Sequence, residues 1–334
     1  MEVAPNKYLR VLVTGASGFI GRKLCLTLAE MGYEVTALCR DVNHPYLIRH
    51  HNIDFIKGDV LEPESLEKAM KGCYQVYHTA AMAKMWCKND QDFYDVNVLG
   101  TRNVLSCALK LDVDRVVHTS TCGVWGPTLN LPVCENDPRA VGFPISYERT
   151  KYLAELQVKE FVKLGLEVVI VNPSRVYGEG PITDSNTVSK MVDGYIRGTW
   201  HFIPGDGKAI ANYAFVDDVV AGHIAAMQNG RNGERYILGG EDVSFNGFFK
   251  TLKEITGKRR KLYKVPLGII KAFSLVESIK SRLFNLTPYF LPEFADRLRC
   301  NQQYSSQKAA AELNYQITPF SVGIGKTINH FKNN

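Results

Sequence analysis

The 334-residue sequence predicts an α/β protein with a doubly wound parallel sheet and a smaller, mostly helical second domain. Three observations support this fold class. Short, almost continuously apolar runs alternate with segments of helical spacing, a glycine-rich turn joins the first run to the first helical segment, and the alternation loosens after Pro173. Strands covered on both faces are apolar throughout, and strand–helix alternation is typical of parallel sheets.

Six apolar runs predict strands, and the segments between them predict helices. The strand runs are "YLRVLVTG", "YEVTALCR", "NIDFIKGD", "QVYHTA", "RVVHTS" and "LEVVIVNP", and the helical segments span 19–31, 64–71, 91–111 and 146–164. Later helical stretches lie near 186–197, 217–228 and 244–256, with a strand-like run at Arg235–Gly240 and a mostly helical tail from about 266. We expect one domain over 1–173 and a second mainly over 174–334, with segments near 210–240 returning to the first.

Composition narrows the class of protein. Hydrophobic residues make up 45% and charged residues 22%, as in ordinary soluble domains. The net charge of +6 is scattered apart from "GKRRK" at Gly257–Lys261, which we interpret as a solvated loop, so no nucleic-acid partner is expected. The eight cysteines form no Cys-x-x-Cys pair, and no apolar run approaches a membrane span. No metal site is expected, and with the first strand too near the N-terminus for a signal peptide we expect a reduced, cytoplasmic protein.

The predicted tail helix carries apolar residues at helical spacing. Ile269, Phe273 and Val276 recur on one side of "LGIIKAFSLVESIKSRLF". Such a stripe most often packs in a core or closes over a substrate, and it only rarely lies on a membrane surface. We therefore expect core packing or a substrate lid.

The glycine-rich turn predicts a dinucleotide site. "VLVTGASGFIG" places Gly15, Gly18 and Gly21 between an apolar strand and a helix. The first glycine permits a tight turn, the second lets the backbone approach a pyrophosphate, and the third lets helix and strand pack closely. The pyrophosphate would lie at the helix N-terminus, where free N–H groups and the helix dipole favour negative charge. The first domain is therefore expected to be a dinucleotide-binding Rossmann domain, and the second a substrate-binding domain.

The end of the second strand should select the cofactor. Cys39 stands where an acidic residue would bind the ribose hydroxyls of NAD, and Arg40 follows it. Since a guanidinium suits the additional phosphate of NADP, NADP(H) is preferred. NAD(H) stays an alternative because Asp41, one residue further on, could supply the acidic group. Asp59, after the third strand, could bind the adenine or simply cap its own loop.

Two Tyr-x-x-x-Lys pairs occur, and only one is expected to be catalytic. Tyr147 and Lys151 lie at the start of a predicted helix, where positions four apart share a face. A neighbouring ammonium should lower the pKa of a tyrosine, which is about 10 without perturbation, towards the working pH. Tyr304 and Lys308 have the same spacing but lie far from the glycine turn, and we interpret them as surface residues of a solvated tail helix.

The order of the motifs resembles that of the extended short-chain dehydrogenases/reductases. The resemblance covers nearly the whole chain and rests on "TGASGFIG", "HTAA", "DVNVLGTRNV", "HTSTCGVWG", "SYERTK", "VNPSRVYGEG", "FVDDVVAGH" and "RYILGGE". It implies that Tyr147 is the catalytic acid/base and that Lys151 also holds the nicotinamide ribose. It further implies that Thr121 orients the substrate carbonyl, where a hydroxyl would stabilise developing negative charge.

The same motifs imply two further sets of residues. The cofactor-binding set is Gly15, Ser17, Gly18, Phe19, Ile20, Gly21, Arg40, Asp59, Val60, Ala80, Ala81, Asn97, Tyr147, Lys151, Asn172 and Pro173. For Asn97 and Asn172 a purely structural role is an equal alternative. The substrate-pocket set is Met82, Trp86, Cys122, Trp125 and Ser174, and for the Met and Trp residues of "MAKMW" ordinary core packing is an equal alternative.

Departures from the family pattern indicate which branch of the extended short-chain dehydrogenases/reductases this sequence resembles. Cys122 and Gly123 replace the acidic pair of the sugar-nucleotide dehydratases, so dehydration is not expected. Ala211 stands where nucleotide-sugar enzymes use an arginine for the substrate diphosphate. The family's usual basic residue near the C-terminus is not evident in "NQQYSSQKAAAEL" either, although Arg297 or Arg299 could substitute for that residue. The pattern is most similar to a cluster of dihydroflavonol 4-reductases, 3β-hydroxysteroid dehydrogenases and hopanoid-associated sugar epimerases.

The expected function is NADP(H)-dependent reduction of a ketone or aldehyde, or the reverse alcohol oxidation, on a small and apolar substrate. The alternative is an NAD(P)-dependent epimerase acting on a sugar or nucleotide sugar, and a third interpretation is a non-catalytic NADPH-sensing protein. The partner would be a small molecule. The resemblance also suggests a homodimer formed through the helices near 91–111 and 146–164.

Overall fold

A computed structural model describes residues 10–84, 86–129, 132–139, 141–183, 186–284 and 292–333 of the chain. Seven parallel strands form the main sheet, in the order β3-β2-β1-β4-β5-β6-β10. They are β1 (Arg10–Thr14), β2 (Glu34–Cys39), β3 (Ile53–Lys57), β4 (Gln75–His78), β5 (Arg115–Thr119), β6 (Val168–Pro173) and β10 (Arg235–Leu238). The prediction of a doubly wound parallel sheet is confirmed.

Helices cover both faces of this sheet, which is why its strands are apolar throughout. One face packs against α1 (Phe19–Glu30), α7 (Val216–Asn229) and α11 (Gln307–Leu313). The other packs against α2 (Pro63–Met70), α4 (Gly100–Lys110) and α5 (Ser146–Lys163). A short α3 (Gln91–Tyr94) and one π-helical turn (Asp95–Leu99) lead directly into α4.

The chain leaves the main sheet after β6 and returns to it twice. The first return is α7 and β10, and β10 pairs with β6 at the edge of the sheet. The second is α11, which packs on α7 and β10. The domain boundary at residue 173 stays a prediction. The second half of the chain nevertheless contributes β10 to the main sheet and packs α7 and α11 against it.

The remaining elements form a second cluster beside the carboxyl ends of the main strands. Its short strands are β7 (Arg175–Tyr177), β8 (Phe202–Pro204), β9 (Ile210–Phe215), β11 (Glu241–Ser244) and β12 (Tyr263–Val265). Its helices are α6 (Thr187–Arg197), α8 (Phe245–Thr256), α9 (Leu267–Phe284), α10 (Pro292–Arg297) and α12 (Phe320–Asn333). Aromatic residues of α8, β9 and α12 form its core. The sequence pattern missed these strands, four of which have only three or four residues and therefore carry too little periodicity.

The stripe on α9 is exposed, so the expected core packing is wrong. Ile269 is 60%, Phe273 53% and Val276 49% exposed. The side chains that α9 buries are instead small and polar, namely Ser274 and Ser281. The spacing of the stripe identified the helix, but it did not show which face the rest of the molecule covers.

Candidate active site

A cavity of about 400 Å³ lies at the carboxyl ends of β1, β4, β5 and β6. The strand order reverses there, because β2 and β3 extend to one side of β1 and the other strands extend from β4. Open parallel sheets bind their ligands at such a reversal. Ten residues predicted for cofactor, catalysis or substrate line the cavity: Gly18, Phe19, Ile20, Gly21, Ala81, Thr121, Cys122, Tyr147, Pro173 and Ser174.

The glycine turn forms a backbone cradle at one end of this cavity. Gly15 has φ +73°, and a Cβ there would lie 2.7 Å from the backbone of Ala80. A Cβ on Gly21 would lie 2.3 Å from the carbonyl oxygen of Gly15. Gly18 is the N-cap of α1 and leaves the first N–H groups of that helix without a side-chain cap, and Ser17 lies in the same turn. Free N–H groups at a helix start favour an anion, so the residues present fit a dinucleotide pyrophosphate.

Two charged residues follow β2. Arg40 is exposed, and no carboxylate of the described chain forms an ion pair with it. Asp41 is exposed as well, but its Oδ1 accepts the backbone N–H two residues further on at 2.9 Å. The guanidinium is therefore the freer of the two groups at the carboxyl end of this strand.

The residues predicted after β3 are engaged within their own loop. Asp59 accepts the N–H of Leu61 at 3.0 Å, which is the loop-capping role considered as its alternative. Val60 is buried, and its side chain lies against Gly100. Neither residue lines the cavity. A role in binding adenine stays a prediction for both.

Thr121 and Tyr147 meet at the cavity wall. Thr121 lies two residues after the end of β5, and its Oγ1 accepts the N–H of Gly123 at 3.1 Å, which starts a single 3₁₀ turn (Cys122–Val124). Tyr147 lies in the first turn of α5. Burial raises the pKa of Tyr147 to about 12, although its hydrogen bond with Thr121 acts in the opposite direction. The expected lowering of this pKa is wrong for this structure, and the phenol is protonated at neutral pH.

Lys151 lies one turn beyond Tyr147 and is 1% exposed. Its Nζ donates to Nε2 of His118 at 3.4 Å. Burial lowers the pKa of Lys151 to about 8, and the carboxylate of Glu155 acts in the opposite direction. This ammonium is costly to bury, and the structure satisfies it with a neutral imidazole in place of a close carboxylate.

Glu155 is a functional residue that the sequence analysis missed. It is 2% exposed and accepts hydrogen bonds from Ser120 Oγ at 2.5 Å and Asn172 Nδ2 at 2.8 Å. The signal was present in the sequence, because Tyr147, Lys151 and Glu155 follow one another at intervals of four on α5. Glu155 is thus the nearest negative charge that stabilises the Lys151 ammonium.

Two buried histidines lie beneath Lys151. Burial and the Lys151 ammonium lower the pKa of His78 to about 3, and they hold the pKa of His118 well below its usual value. His78 contacts the hydroxyls of Thr14 at 2.8 Å and Thr101 at 3.1 Å. Both rings are therefore neutral near pH 7, and Nε2 of His118 can accept the hydrogen bond that Lys151 donates.

The two predicted asparagines are buried and hold other site residues in place. Asn97, in the π-helical turn, accepts the N–H of Met82 at 2.8 Å and donates to Thr150 Oγ1 at 3.0 Å. Asn172 donates to the carbonyl oxygen of Thr121 at 3.2 Å as well as to Glu155. These contacts are those of the structural role considered as their alternative.

The apolar wall of the cavity differs from the predicted one. Met82 and Trp86 are half-buried but do not line the cavity, although Ala81 and Lys84 beside them do. Trp125 is 2% exposed and packs in a core cluster with Val124 and Val133, so its expected place in the pocket wall is wrong. The second cluster of elements supplies several of the large apolar residues of the cavity, among them Met191, Trp200, Phe202, Phe245 and Leu298.

A buried ion cluster forms the polar side of the cavity. Glu148, directly after Tyr147, is 2% exposed and pairs with Arg139 Nη2 at 3.0 Å and with Arg297. A Cβ on Gly123 would lie 3.1 Å from Glu148 Cγ, so the glycine at a dehydratase acid position makes room for this carboxylate. Arg297 was predicted as a substitute for the family's basic residue near the C-terminus, and in this structure it lines the cavity and shares the Glu148 carboxylate with Arg139.

A second polar group of the cavity is centred on Arg175. Its Nε and Nη2 donate to Gln302 Oε1 at 3.3 and 3.1 Å. Ser174 Oγ, Asn186 Nδ2 and Gln302 Nε2 are buried polar atoms without a hydrogen-bond partner in the described chain, and all three residues line the cavity. Buried polar groups are normally satisfied, so these atoms indicate where a bound molecule places polar groups.

The interpretation of Tyr304 and Lys308 as solvated surface residues is wrong. Tyr304 is 7% exposed, lines the cavity and donates to the carbonyl oxygen of Gly126 at 3.0 Å. Its segment pairs with Val133, and the neighbouring Gln303 and Thr128 exchange hydrogen bonds of 2.7 and 3.0 Å. Tyr304 precedes α11, whereas Lys308 lies within it and binds Glu234 at 2.5 Å.

The residues that the structure describes lack two kinds of feature. No cluster of three or more His, Cys, Asp or Glu side chains suited to a metal ion occurs among them. Within the same residues, no helix combines the length and apolarity needed to cross a membrane.

The fold and the site define a dinucleotide-binding protein of the short-chain dehydrogenase/reductase type. The model of the NAD dependent epimerase/dehydratase family matches residues 11–239, and the chain belongs to this family. A putative dihydroflavonol 4-reductase from Synechocystis is 32% identical over 330 residues, which cover 96% of this chain and 94% of the relative. Sterol demethylase protein B from Methylococcus capsulatus is 29% identical, with 97% and 98% covered. Among solved structures, an epimerase from Methanothermobacter thermautotrophicus has a TM-score of 0.81 and 26% identity over 97% of this chain and 92% of that one.

Proposed function

We propose that the protein is an NADP(H)-dependent carbonyl reductase that acts on a small, largely apolar ketone or aldehyde. The observation that carries this proposal is the meeting of Thr121 and Tyr147 at a cavity whose far wall is apolar and aromatic. The backbone cradle at Gly15, Gly18 and Gly21 would hold the pyrophosphate of the cofactor. NADPH, when bound, supplies hydride to the carbonyl carbon.

Tyr147 would supply the proton that the reduced carbonyl oxygen needs. Its phenol is protonated at neutral pH because burial raises its pKa to about 12, so it can donate throughout the neutral range. Thr121 shares a hydrogen bond with this phenol and would orient the carbonyl oxygen towards it. Lys151, held by His118 and stabilised by Glu155, would offset the negative charge left on Tyr147 after the transfer.

The polar groups of the cavity favour an apolar substrate over a nucleotide sugar. Ala211 offers a diphosphate no cation, and Arg297 shares the single Glu148 carboxylate with Arg139, so Arg175 is the one cavity guanidinium of the described residues without a carboxylate partner. Arg175 lines the cavity and is held by a neutral amide, so it would contact a single polar substituent. Trp200, Phe202 and the other apolar wall residues would pack on the rest of the substrate.

Preference for NADP(H) rests on Arg40. Its exposed guanidinium, unpaired within the described chain, would bind the 2′-phosphate of NADP, while Asp41 is occupied by a loop hydrogen bond. We also propose a homodimer through α4 and α5, on the resemblance of the motif order to that of the extended short-chain dehydrogenases/reductases.

The test is a screen of apolar ketones, flavonoid-like compounds and steroids for NADPH oxidation, with product quantified beside cofactor. One NADPH consumed for each alcohol formed supports the proposal. A second candidate, epimerisation of a sugar or nucleotide sugar, is supported by the structural likeness to an epimerase. An epimerase would convert its substrate with no net consumption of NADPH, so that result would replace the reductase with the epimerase.

A further inference from the structure

The exposed face of α9 is unusually apolar for a surface helix. Five large side chains point outward: Ile269, Phe273, Leu275, Val276 and Ile279 are between 49% and 60% exposed. Together they extend over three turns of the helix. A contiguous apolar surface of this kind marks a site of interaction with another molecule.

The inward face of the same helix is apolar only in its first turn, where Leu267 and Ile270 are half-buried. Beyond that turn Ser274 and Ser281 are buried, and Glu277 is half-buried. Lys271 holds α9 to α10 through an ion pair with Asp296, with both contacts at 2.9 Å. Most of the large apolar side chains of α9 therefore face outward, whereas an ordinary surface helix turns them towards the core.

Positive charge is concentrated beside this face. Residues 258–280 contain seven Lys or Arg and one Glu, a formal charge of +6 that equals the net charge of the whole chain. Arg259, Lys261 and Lys264 are exposed, and no ion pair with a carboxylate of the described residues neutralises them. Tyr263, between the last two, is 54% exposed and carries the Lys261 ammonium 5.2 Å from its ring centre.

The same region borders the mouth of the cavity. β12 (Tyr263–Val265) pairs with β8, whose Phe202 and Pro204 line the cavity. α10 packs against α9, and Arg297 at its end lines the cavity together with Leu298. An apolar molecule leaving a surface that α9 contacts would therefore have a short path to the aromatic wall.

We propose that the apolar face of α9 and the basic segment 258–264 dock on the surface of an anionic lipid bilayer. The helix would lie in the plane of the interface with Phe273 and its neighbours among the acyl chains, and it would not cross the membrane. Arg259, Lys261 and Lys264 would contact the acidic headgroups. The docking surface goes beyond the reductase activity and does not depend on it.

Charge decides between a bilayer and a second copy of the chain. In a two-fold dimer the same patch meets itself, so the exposed and unpaired Arg259, Lys261 and Lys264 of one copy would approach those of the other and repel them. An anionic membrane instead attracts each of these residues.

The experiment is co-sedimentation of the full chain with vesicles of phosphatidylcholine alone or with 30% phosphatidylglycerol, at about 0.1 M salt, where electrostatic attraction still acts. One double variant, Ile269→Ser with Phe273→Ser, removes apolar area. Its matched control, Met31→Ser with Leu164→Ser, removes exposed apolar side chains from the other end of the molecule. A second pair, Arg259→Glu with Lys261→Glu, is matched by Lys68→Glu with Lys71→Glu, which are exposed in or after α2.

We expect the unchanged chain to bind the anionic vesicles at least tenfold more tightly than the neutral ones. Each α9-region variant should lose at least tenfold in binding to the anionic vesicles, and each control should stay within twofold. Gel filtration of all five proteins measures association between copies. No vesicle binding, equal losses in the controls, or a dimer that the Ile269 and Phe273 substitutions dissociate would each overturn the proposal.

Discussion

Two segments of this chain share the spacing Tyr-x-x-x-Lys and line or border the same cavity, yet their chemistry differs. Tyr147 and Lys151 belong to one helix, and both lie on the side of α5 that faces the site. Tyr304 precedes its helix, so the same spacing sends Tyr304 to the cavity and Lys308 towards Glu234. Spacing predicts proximity only where the backbone is helical between the two residues.

The partners of the two pairs differ just as much. The Tyr147 phenol meets a hydroxyl, which can exchange roles with a substrate oxygen, whereas the Tyr304 phenol is committed to the carbonyl of Gly126. Lys151 contacts a neutral imidazole, while Lys308 is neutralised by Glu234 and also donates to the carbonyl of Arg235 at 2.9 Å. Tyr147 and Lys151, which we propose to be catalytic, thus differ from Tyr304 and Lys308 in that neither is bound to a backbone carbonyl or a close carboxylate.

The largest effect should separate the two tyrosines. Tyr147→Phe removes the proton donor, so kcat for ketone reduction should fall by about 10³-fold or more, with NADPH binding changed less than about threefold. Tyr304→Phe is the matched control, since its hydroxyl already binds a backbone carbonyl, and kcat should stay within about threefold. Turnover and fluorescence titration of NADPH measure both effects. An active Tyr147→Phe enzyme would contradict the catalytic role of Tyr147.

The next effect compares the carboxylates beside the two segments. Glu148→Gln leaves Arg139 and Arg297 buried without their anion, which should cost about 3 kcal/mol of the free energy of unfolding. Glu234→Gln removes the partner of Lys308, but this carboxylate is 42% exposed, and the cost should be below about 1 kcal/mol. Urea unfolding measures both variants, and equal losses would show that Glu148 is not the buried counter-ion described here.

Cofactor choice should change by a smaller factor. Arg40→Ser removes the guanidinium assigned to the extra phosphate, so the Kd for NADPH should rise about ten- to a hundredfold with little change for NADH. The control is Asp41→Asn, which removes the charge of Asp41 but keeps the size of its side chain, and it should leave the NADPH affinity within about threefold. Calorimetry with both nucleotides gives the two ratios. Loss of NADH binding in Asp41→Asn alone would make Asp41 the selecting residue.

The smallest effect is a displacement along the pH axis. The pKa of Lys151 is about 8 in the folded protein, so its ammonium is present below that pH and is lost as the pH rises through it. The rate of ketone reduction should therefore decline on the alkaline side near pH 8. Because Glu155 raises this pKa, Glu155→Gln should move the decline to lower pH. Glu234→Gln, beside Lys308, should leave the profile where it is, and a shift in that variant would contradict the separation of the two lysines.

Local patterns predicted the part of the site that depends on local structure. The glycine turn, Thr121 after β5 and the Tyr147–Lys151 pair each belong to one strand end or one helix turn, and the structure places them at one sheet edge. Glu148 could be seen beside Tyr147, but its partner Arg297 lies on α10, far along the chain. Such pairings depend on tertiary contacts that no periodicity encodes.

The same limit explains the errors. Tyr304 contacts a segment 178 residues earlier in the chain, and Trp125 packs in one cluster with Val133 and Ile237. For α9, the apolar spacing defined the helix correctly, but only the packed neighbours show that its polar side faces inward. The fold class was therefore predictable, whereas the cavity walls were not.

The pairing of the Tyr304 segment with Val133 also sets an order for events during protein synthesis. Tyr304 is added 157 residues after Tyr147, so this wall of the cavity cannot close until nearly the whole chain has been translated. At about 5–20 residues per second the delay is roughly 8–30 s, long enough for the strands up to β6 to pair first. A ribosome that stalls before residue 304 would release a chain with its glycine turn and Tyr147 in place and the aromatic pocket open to water.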